Sequence, residues 1–176
     1  RSTDGGATWT PVLQIDENTG ATHLEFDPVN PDVVYAAVYQ RRRHVWGFLG
    51  GGPGSGIWKS ADNGQTWRRL KTGLPSGDMG KIGLAVTPAD PSLVYATIEA
   101  GEEERGFYRS RNRGESWEKQ NDYISGGTGP HYYQEIEASP LHAARIYQMD
   151  VFLHVTRNGG ATVETLQPRH DKHTRK

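Results

Sequence analysis

Glu135 and Glu137 stand two residues apart, directly after Tyr132-Tyr133-Gln134. On an extended segment that spacing turns both carboxylates to one face. Two carboxylates flanking a glycosidic bond, one donating a proton and the other acting as base or nucleophile, are the machinery of glycoside hydrolysis. Tyr132 and Tyr133 are the candidate substrate contacts beside them. Aligning the segments that end in Pro28, Pro88 and Pro140 places Glu25, Ala85 and Glu137 at one position. His23, Gly83 and Glu135 then share the position two residues earlier. Glu25 is therefore a third catalytic candidate. Solvated carboxylates that balance Lys81 and Arg145 would show the same pattern, and both readings stand.

The segment 40–55 is far longer than a hairpin connection needs, and loops on a rigid scaffold carry function. It holds Arg41-Arg42-Arg43-His44-Val45-Trp46-Gly47-Phe48, followed by glycines. Trp46 can stack on a sugar ring while Arg42 and Arg43 grip an acidic group. The same composition also suits packing against a neighbouring repeat or a partner. His170, Asp171 and His173 have the ligand types of a zinc or other divalent site. No companion motif such as His-Glu-x-x-His accompanies them, and surface histidines are the expectation. The run Glu102-Glu103-Glu104 is read as a solvated turn. No phosphate loop, nucleophile elbow or clustered basic patch occurs, and no cofactor is expected.

These residues are positioned by repeats. Ser60-Ala61-Asp62-Asn63-Gly64-Gln65-Thr66-Trp67 combines turn chemistry with an aromatic anchor. The phrase recurs as Ser2–Trp9, Ser110–Trp117 and Thr156–Val163. Asp4, Asp62, Asn112 and Asn158 occupy its acidic position. Asn in two of the four suits a turn and not an acid catalyst, so the four are read as structural. Trp9, Trp67 and Trp117 are read as core anchors. A strand-rich period of about 50 residues is a propeller signal. A second phrase lies half a period away: Phe26-Asp27-Pro28-Val29-Asn30-Pro31-Asp32-Val33-Val34-Tyr35-Ala36 matches Val86–Ala96, with a worn copy at Ala138–Tyr147.

The Ser-x-Asp-x-Gly-x-Thr-Trp phrase resembles the Asp-box, or BNR repeat, of sialidases, xyloglucanases and sortilin-type β-propellers. Gly80–Val86, Tyr132-Tyr133-Gln134 and the terminal Asp171-Lys172-His173 resemble large bacterial BNR-repeat glycosyl hydrolases with sortilin-like propellers. The resemblance implies hairpins on the outer part of each blade and first strands that line a central channel. It implies a glycoside-hydrolase-like module acting on or binding a glycan, from a bacterial secreted or periplasmic protein. The other reading is a non-catalytic, sortilin-like module for a peptide or glycan. Sialidases use three arginines from separate blades, and no matching context surrounds Arg105 or Arg145. Xyloglucanases use two aspartates from opposite halves of a ring, which part of a ring does not supply.

The expected fold is all-β: a partial β-propeller of about three four-stranded antiparallel blades, with four Asp-box hairpins. Residues 1–14 would end a preceding blade with a return strand over 8–14; 22–70 (its last strand over 66–70), 81–119 and 132–167 would form whole blades, and 168–176 would begin a further repeat or fray. The 176 residues carry 22 glycines, 10 prolines and five tryptophans, suited to short strands and tight turns. The net charge of −1 gives no field for nucleic acid. No apolar run approaches the roughly 18 residues of a membrane span. Without cysteine, no disulfide or thiolate metal site forms. Propellers close with about four to eight blades. The chain is thus read as a piece of a longer protein or an excised set of blades, whose open faces favour self-association or cover by the remaining blades.

Overall fold

The computed structural model describes residues 1–124 and 132–166. Among them there is no helix, and the strands form three antiparallel sheets, each a propeller blade. The first contains β1 (Thr19–Phe26), β2 (Val34–His44), β4 (Gly56–Ser60) and β5 (Arg68–Arg69) in that order. A further strand, β3 (Gly47–Gly50), pairs with the far end of β2. The second sheet runs β6 (Ile82–Val86), β7 (Val94–Ile98), β8 (Gly106–Ser110), β9 (Glu118–Asn121). The third runs β10 (Ile136–Ala138), β11 (Ile146–Met149), β12 (Leu153–Thr156), β13 (Glu164–Thr165). The chain is a partial β-propeller.

Register follows the repeat. Glu25, Ala85 and Glu137 face Tyr35, Tyr95 and Tyr147 across the first strand pair of their sheets. The tyrosines of the first two sheets then reach the next one: Tyr35 Oη donates to the Arg113 carbonyl (2.9 Å) and Tyr95 Oη to that of Ala143 (2.9 Å). Apolar residues fill both seams. Tyr35, Ile57, Leu84 and Ile98 lie in the first, and Tyr95, Phe107, Ile136 and Ile146 in the second.

The four hairpins share one bonding scheme. In the second, Asp62 Oδ1 accepts the Thr66 N–H (2.8 Å), Oδ2 accepts the Thr66 hydroxyl (2.6 Å), and Ser60 Oγ accepts the Gly64 N–H (2.8 Å). Where Asn replaces Asp, the bond with the hydroxyl four residues on reverses: Asn112 Nδ2 donates to Ser116 Oγ (2.8 Å) and Asn158 Nδ2 to Thr162 Oγ1 (3.0 Å). Asn63 and Arg113 take φ of 56° and 57° at the turn position that Gly5 and Gly159 fill elsewhere. Because the hairpin captures the Thr66 N–H, β5 begins only at Arg68, later than the sequence suggests.

Two expectations need correction. Trp117 is buried, but Trp9 is 74% exposed and anchors no core. The reason is cover: Trp117 packs under the preceding blade's return segment, its N–H bonded to the Thr72 carbonyl (3.0 Å), and no described sheet precedes Trp9. Residues 8–14 form no strand either, having only the Arg1–Thr10 backbone bonds as a ladder.

Gly83 shows how tightly the blades meet. A Cβ there would lie 1.6 Å from the Gln134 carbonyl oxygen. Gly83→Ala should therefore destabilise the fold by about 3 kcal/mol or more in denaturant titration. Gly20→Ala, where a Cβ meets nothing within 4 Å, should stay within about 0.5 kcal/mol of the parent.

Asp62 gives a second test. The Thr66 hydroxyl, the Thr66 N–H and the Ser60 hydroxyl hold its pKa down at about 2. A depressed folded-state pKa gives stability above the unfolded carboxylate's value near 4 that is lost as pH falls toward 2. Asp62→Asn, which fits the turn as Asn112 does, should flatten that loss in thermal unfolding between pH 4 and pH 2.

Candidate functional site

The rim opposite the Asp-box hairpins carries the longer connections, among them the segment 40–55, with Glu135 on that side, whereas Glu25 and Glu137 lie one residue from the hairpin-side end of their strands. The segment 40–55 is a projecting hairpin and not a loose loop. β2 runs on past its sheet to His44, turns at Val45-Trp46, and returns as β3. Alternation along β2 puts Arg41 and Arg43 on the face of Phe48, with guanidinium carbons 5.6 and 5.9 Å from its ring centre. Arg42, on the other face, lies 3.7 Å from Glu17. Trp46 at the tip is 86% exposed and stacks flat on His44, with centroids 5.1 Å apart and planes 2° from parallel. The guanidinium groups are thus engaged, and the hairpin presents an aromatic platform more than a carboxylate clamp.

The three candidate glutamates have different surroundings. Glu25 lies in the seam between the first two blades, because the faces of an inner strand point at neighbouring sheets. His23 is fixed by the Leu84 N–H, which donates to Nδ1 (3.2 Å), so Nε2–H donates to Glu25 Oε1 (3.0 Å). Glu135 accepts from Lys81 Nζ (2.7 Å), which also bonds the Tyr132 carbonyl (3.1 Å). Burial alone would raise the Glu135 pKa. The bond from Lys81, the N–H groups of Glu135 and Gln134, and the Lys81 charge outweigh it and hold the carboxyl below its ordinary value. Glu137 is exposed and its side chain has no polar partner among the described residues. Tyr132 and Tyr133 are 54% and 40% exposed beside this pair. Lys81 thus joins Glu135 to the Tyr132 main chain, Glu137 follows two residues on along β10, and β6 lies between β10 and the strand of Glu25.

His170, Asp171 and His173 lie outside the described residues. Among those described, no group of three or more His, Asp or Glu side chains is placed to hold a metal.

Sequence reasoning missed a cavity of about 300 Å³ at the foot of the projecting hairpin. Its walls are Gly50–Gly52 from the end of β3, Asp78 and Gly80 before β6, and Glu99 after β7. The Gly52 N–H donates to the Met79 carbonyl (3.1 Å), joining the two connections. Glu104, expected to be a solvated turn residue, secures one of them. Its carboxylate accepts the Ser76 N–H (2.7 Å), the Ser76 hydroxyl (2.9 Å) and the Gly77 N–H (3.2 Å), which holds its pKa low. The one sequence signal was the glycine run, whose walls lie too close for side chains: a Cβ on Gly80 would lie 2.2 Å from the Glu99 carboxylate.

Xyloglucanase Xgh74A of Acetivibrio thermocellus is 31% identical over 132 residues, covering 69% of this chain and 15% of its own length. The chain thus spans a small part of that relative. The GH74 xyloglucanase from Xanthomonas campestris superposes with a TM-score of 0.63 at 20% identity, over 88% of this chain and 23% of its own. YCF48 bound to D1 peptide gives 0.59 at 14% identity, over 89% and 43%. These two structures share the propeller fold. The model of the family described as "Sortilin, neurotensin receptor 3" (Sortilin-Vps10) matches residues 1–148. The chain is a propeller segment and belongs to the Sortilin-Vps10 family.

Proposed function

We propose that this chain is the glycan-contacting arc of a propeller that binds and cleaves a xyloglucan-type polysaccharide. The observation that carries the reading is the β2–β3 hairpin, which raises Trp46 and Phe48 above the rim. A pyranose ring offers an apolar C–H face to such aromatic surfaces, while Arg41–Arg43 supply donors to its hydroxyls. Because Arg41 and Arg43 already lie over Phe48 and Arg42 beside Glu17, a neutral sugar fits better than an acidic one. The relatives named as xyloglucanases supply the substrate class.

For hydrolysis, the candidate pair is Glu135 with Glu137. Two residues along an extended chain span about 7 Å, within the separation of an inverting pair. Lys81 keeps Glu135 ionised, which suits the base and leaves Glu137 as the proton donor. Glu25, tied to His23 inside the seam, is assigned to positioning the inner strands.

The test is calorimetric titration of the chain with xyloglucan oligosaccharides, followed by a turnover assay. Trp46→Ala should weaken binding about tenfold with the thermal midpoint unchanged. Undiminished affinity would remove the hairpin from the contact. Glu135→Gln or Glu137→Gln should abolish turnover while binding persists. Turnover untouched by both would reject this catalytic pair, and binding without turnover in the parent chain would leave a recognition module.

A further inference from the structure

We infer that the cavity walled by Gly50–Gly52, Asp78, Gly80 and Glu99 is a binding subsite for one neutral sugar residue, using Asp78 and Glu99 as hydroxyl acceptors and Tyr39 as a buried contact. This rests on the glycan reading above and assigns it a second, separate contact.

Position comes first. β3 leads straight from Phe48 into the wall at Gly50, so a chain lying across Phe48 continues over the cavity mouth. The volume of about 300 Å³ accommodates a single hexose with water. Four glycines, Met79 and Ala100 make the rest of the lining, so the polar side chains that can meet the ligand are the two carboxylates. Carboxylates accept hydrogen bonds from hydroxyls without requiring a charge on the ligand.

The acceptors are also uncommitted. Glu99 uses Oε2 for the Lys81 N–H (3.0 Å), and that bond fixes the carboxylate at the wall. Its other oxygen has no partner among the described residues, and neither does the Asp78 carboxylate. No basic side chain lines the cavity to neutralise them.

An independent sign lies beneath the wall. Tyr39 is 4% exposed, and its hydroxyl is buried without a hydrogen-bond partner. A buried hydroxyl left unpaired is unfavourable, and such groups ordinarily have an explanation in water, an ion or a ligand. This one points at Gly50: a Cβ on that residue would lie 2.9 Å from the oxygen. Gly50 lines the cavity, and the hydroxyl and the edge of the Phe48 ring lie against it where a side chain would stand. A small displacement of Gly50, free of any side chain, lets a ligand hydroxyl meet it.

The experiment repeats the xyloglucan oligosaccharide titration with Asp78→Asn, Glu99→Gln and Tyr39→Phe, each with its thermal midpoint. Asp78→Asn and Glu99→Gln should bind about tenfold or more weakly, as expected for bonds to a charged acceptor. Tyr39→Phe removes a hydroxyl that bonds nothing in the free protein. It should therefore unfold at the same or a higher temperature, yet bind about two- to tenfold more weakly. A purely structural tyrosine would not separate the two readouts in this way. Parental affinity in all three variants, with binding lost in Trp46→Ala, would overturn the subsite and leave the platform standing. Failure of the parent chain to bind the oligosaccharide at all would reject both.

Discussion

The carbonyl oxygen of Gln134 occupies the space where a side chain at position 83 would stand, and the arc depends on that contact. Thr97 Oγ1 donates to the same oxygen (3.1 Å), so the second blade holds the third through backbone as well as through its apolar seam. The first seam is built to the same plan with different groups. Lys59, buried among apolar neighbours, donates to the Arg113 carbonyl (2.7 Å) and to Glu115 (2.8 Å). Arg113 in turn pairs with the buried carboxylate of Asp27, whose other oxygen accepts the Val29 and Asn30 N–H groups (3.0 and 3.1 Å). A buried ion pair adds little net stability, because desolvation offsets its attraction, but removing either partner is strongly unfavourable. Apolar burial therefore holds the blades together, while these polar ties fix one angle between them.

That fixed angle sets the relation between loops that are far apart in sequence. Asp78 and Glu99 belong to the second blade and Gly50–Gly52 to the first, yet they enclose one cavity. Lys81 likewise reaches from the second blade to Glu135 at the edge of the third. Residues on opposite sides of a seam keep these distances only if the sheets do not slide. The close approaches at Gly83 and at Gly114, where a Cβ would press on Tyr35 and Leu70 at 3.1 Å, oppose such sliding.

Much of this was legible in the sequence because the repeat is written in turn chemistry. Ser60, Asp62, Gly64 and Thr66 each perform a local task, and local tasks leave local signatures. The proline-anchored alignment likewise put Glu25, Ala85 and Glu137 at one position, and each of the three faces a tyrosine across its first strand pair. The rest depended on distant partners. The exposure of Trp9 depends on what lies above it, and the fate of Glu25 on the Leu84 N–H of another blade. β3 was hidden because Gly47-Phe48-Leu49-Gly50 is exposed throughout and shows no burial pattern. Asp78, Glu99 and Tyr39 were invisible as a group, since no motif joins two residues from separate connections to one within a strand.

The two rims differ in how completely their polar groups are satisfied, and this argues for where ligands bind. On the hairpin rim, each Asp or Asn accepts backbone N–H groups and bonds a neighbouring hydroxyl, while the tryptophan indoles at 9, 67 and 117 donate to glycine carbonyls at 3.1 Å. A ligand there would have to break bonds that hold the turns. On the other rim, Asp78 and one oxygen of Glu99 face the cavity without a partner among the described residues, and Trp46 stands almost wholly exposed. Folding has not consumed those groups. The repeat thus separates two roles within each blade: one end closes its own hydrogen bonds and sets the shape, and the other carries what remains available for recognition.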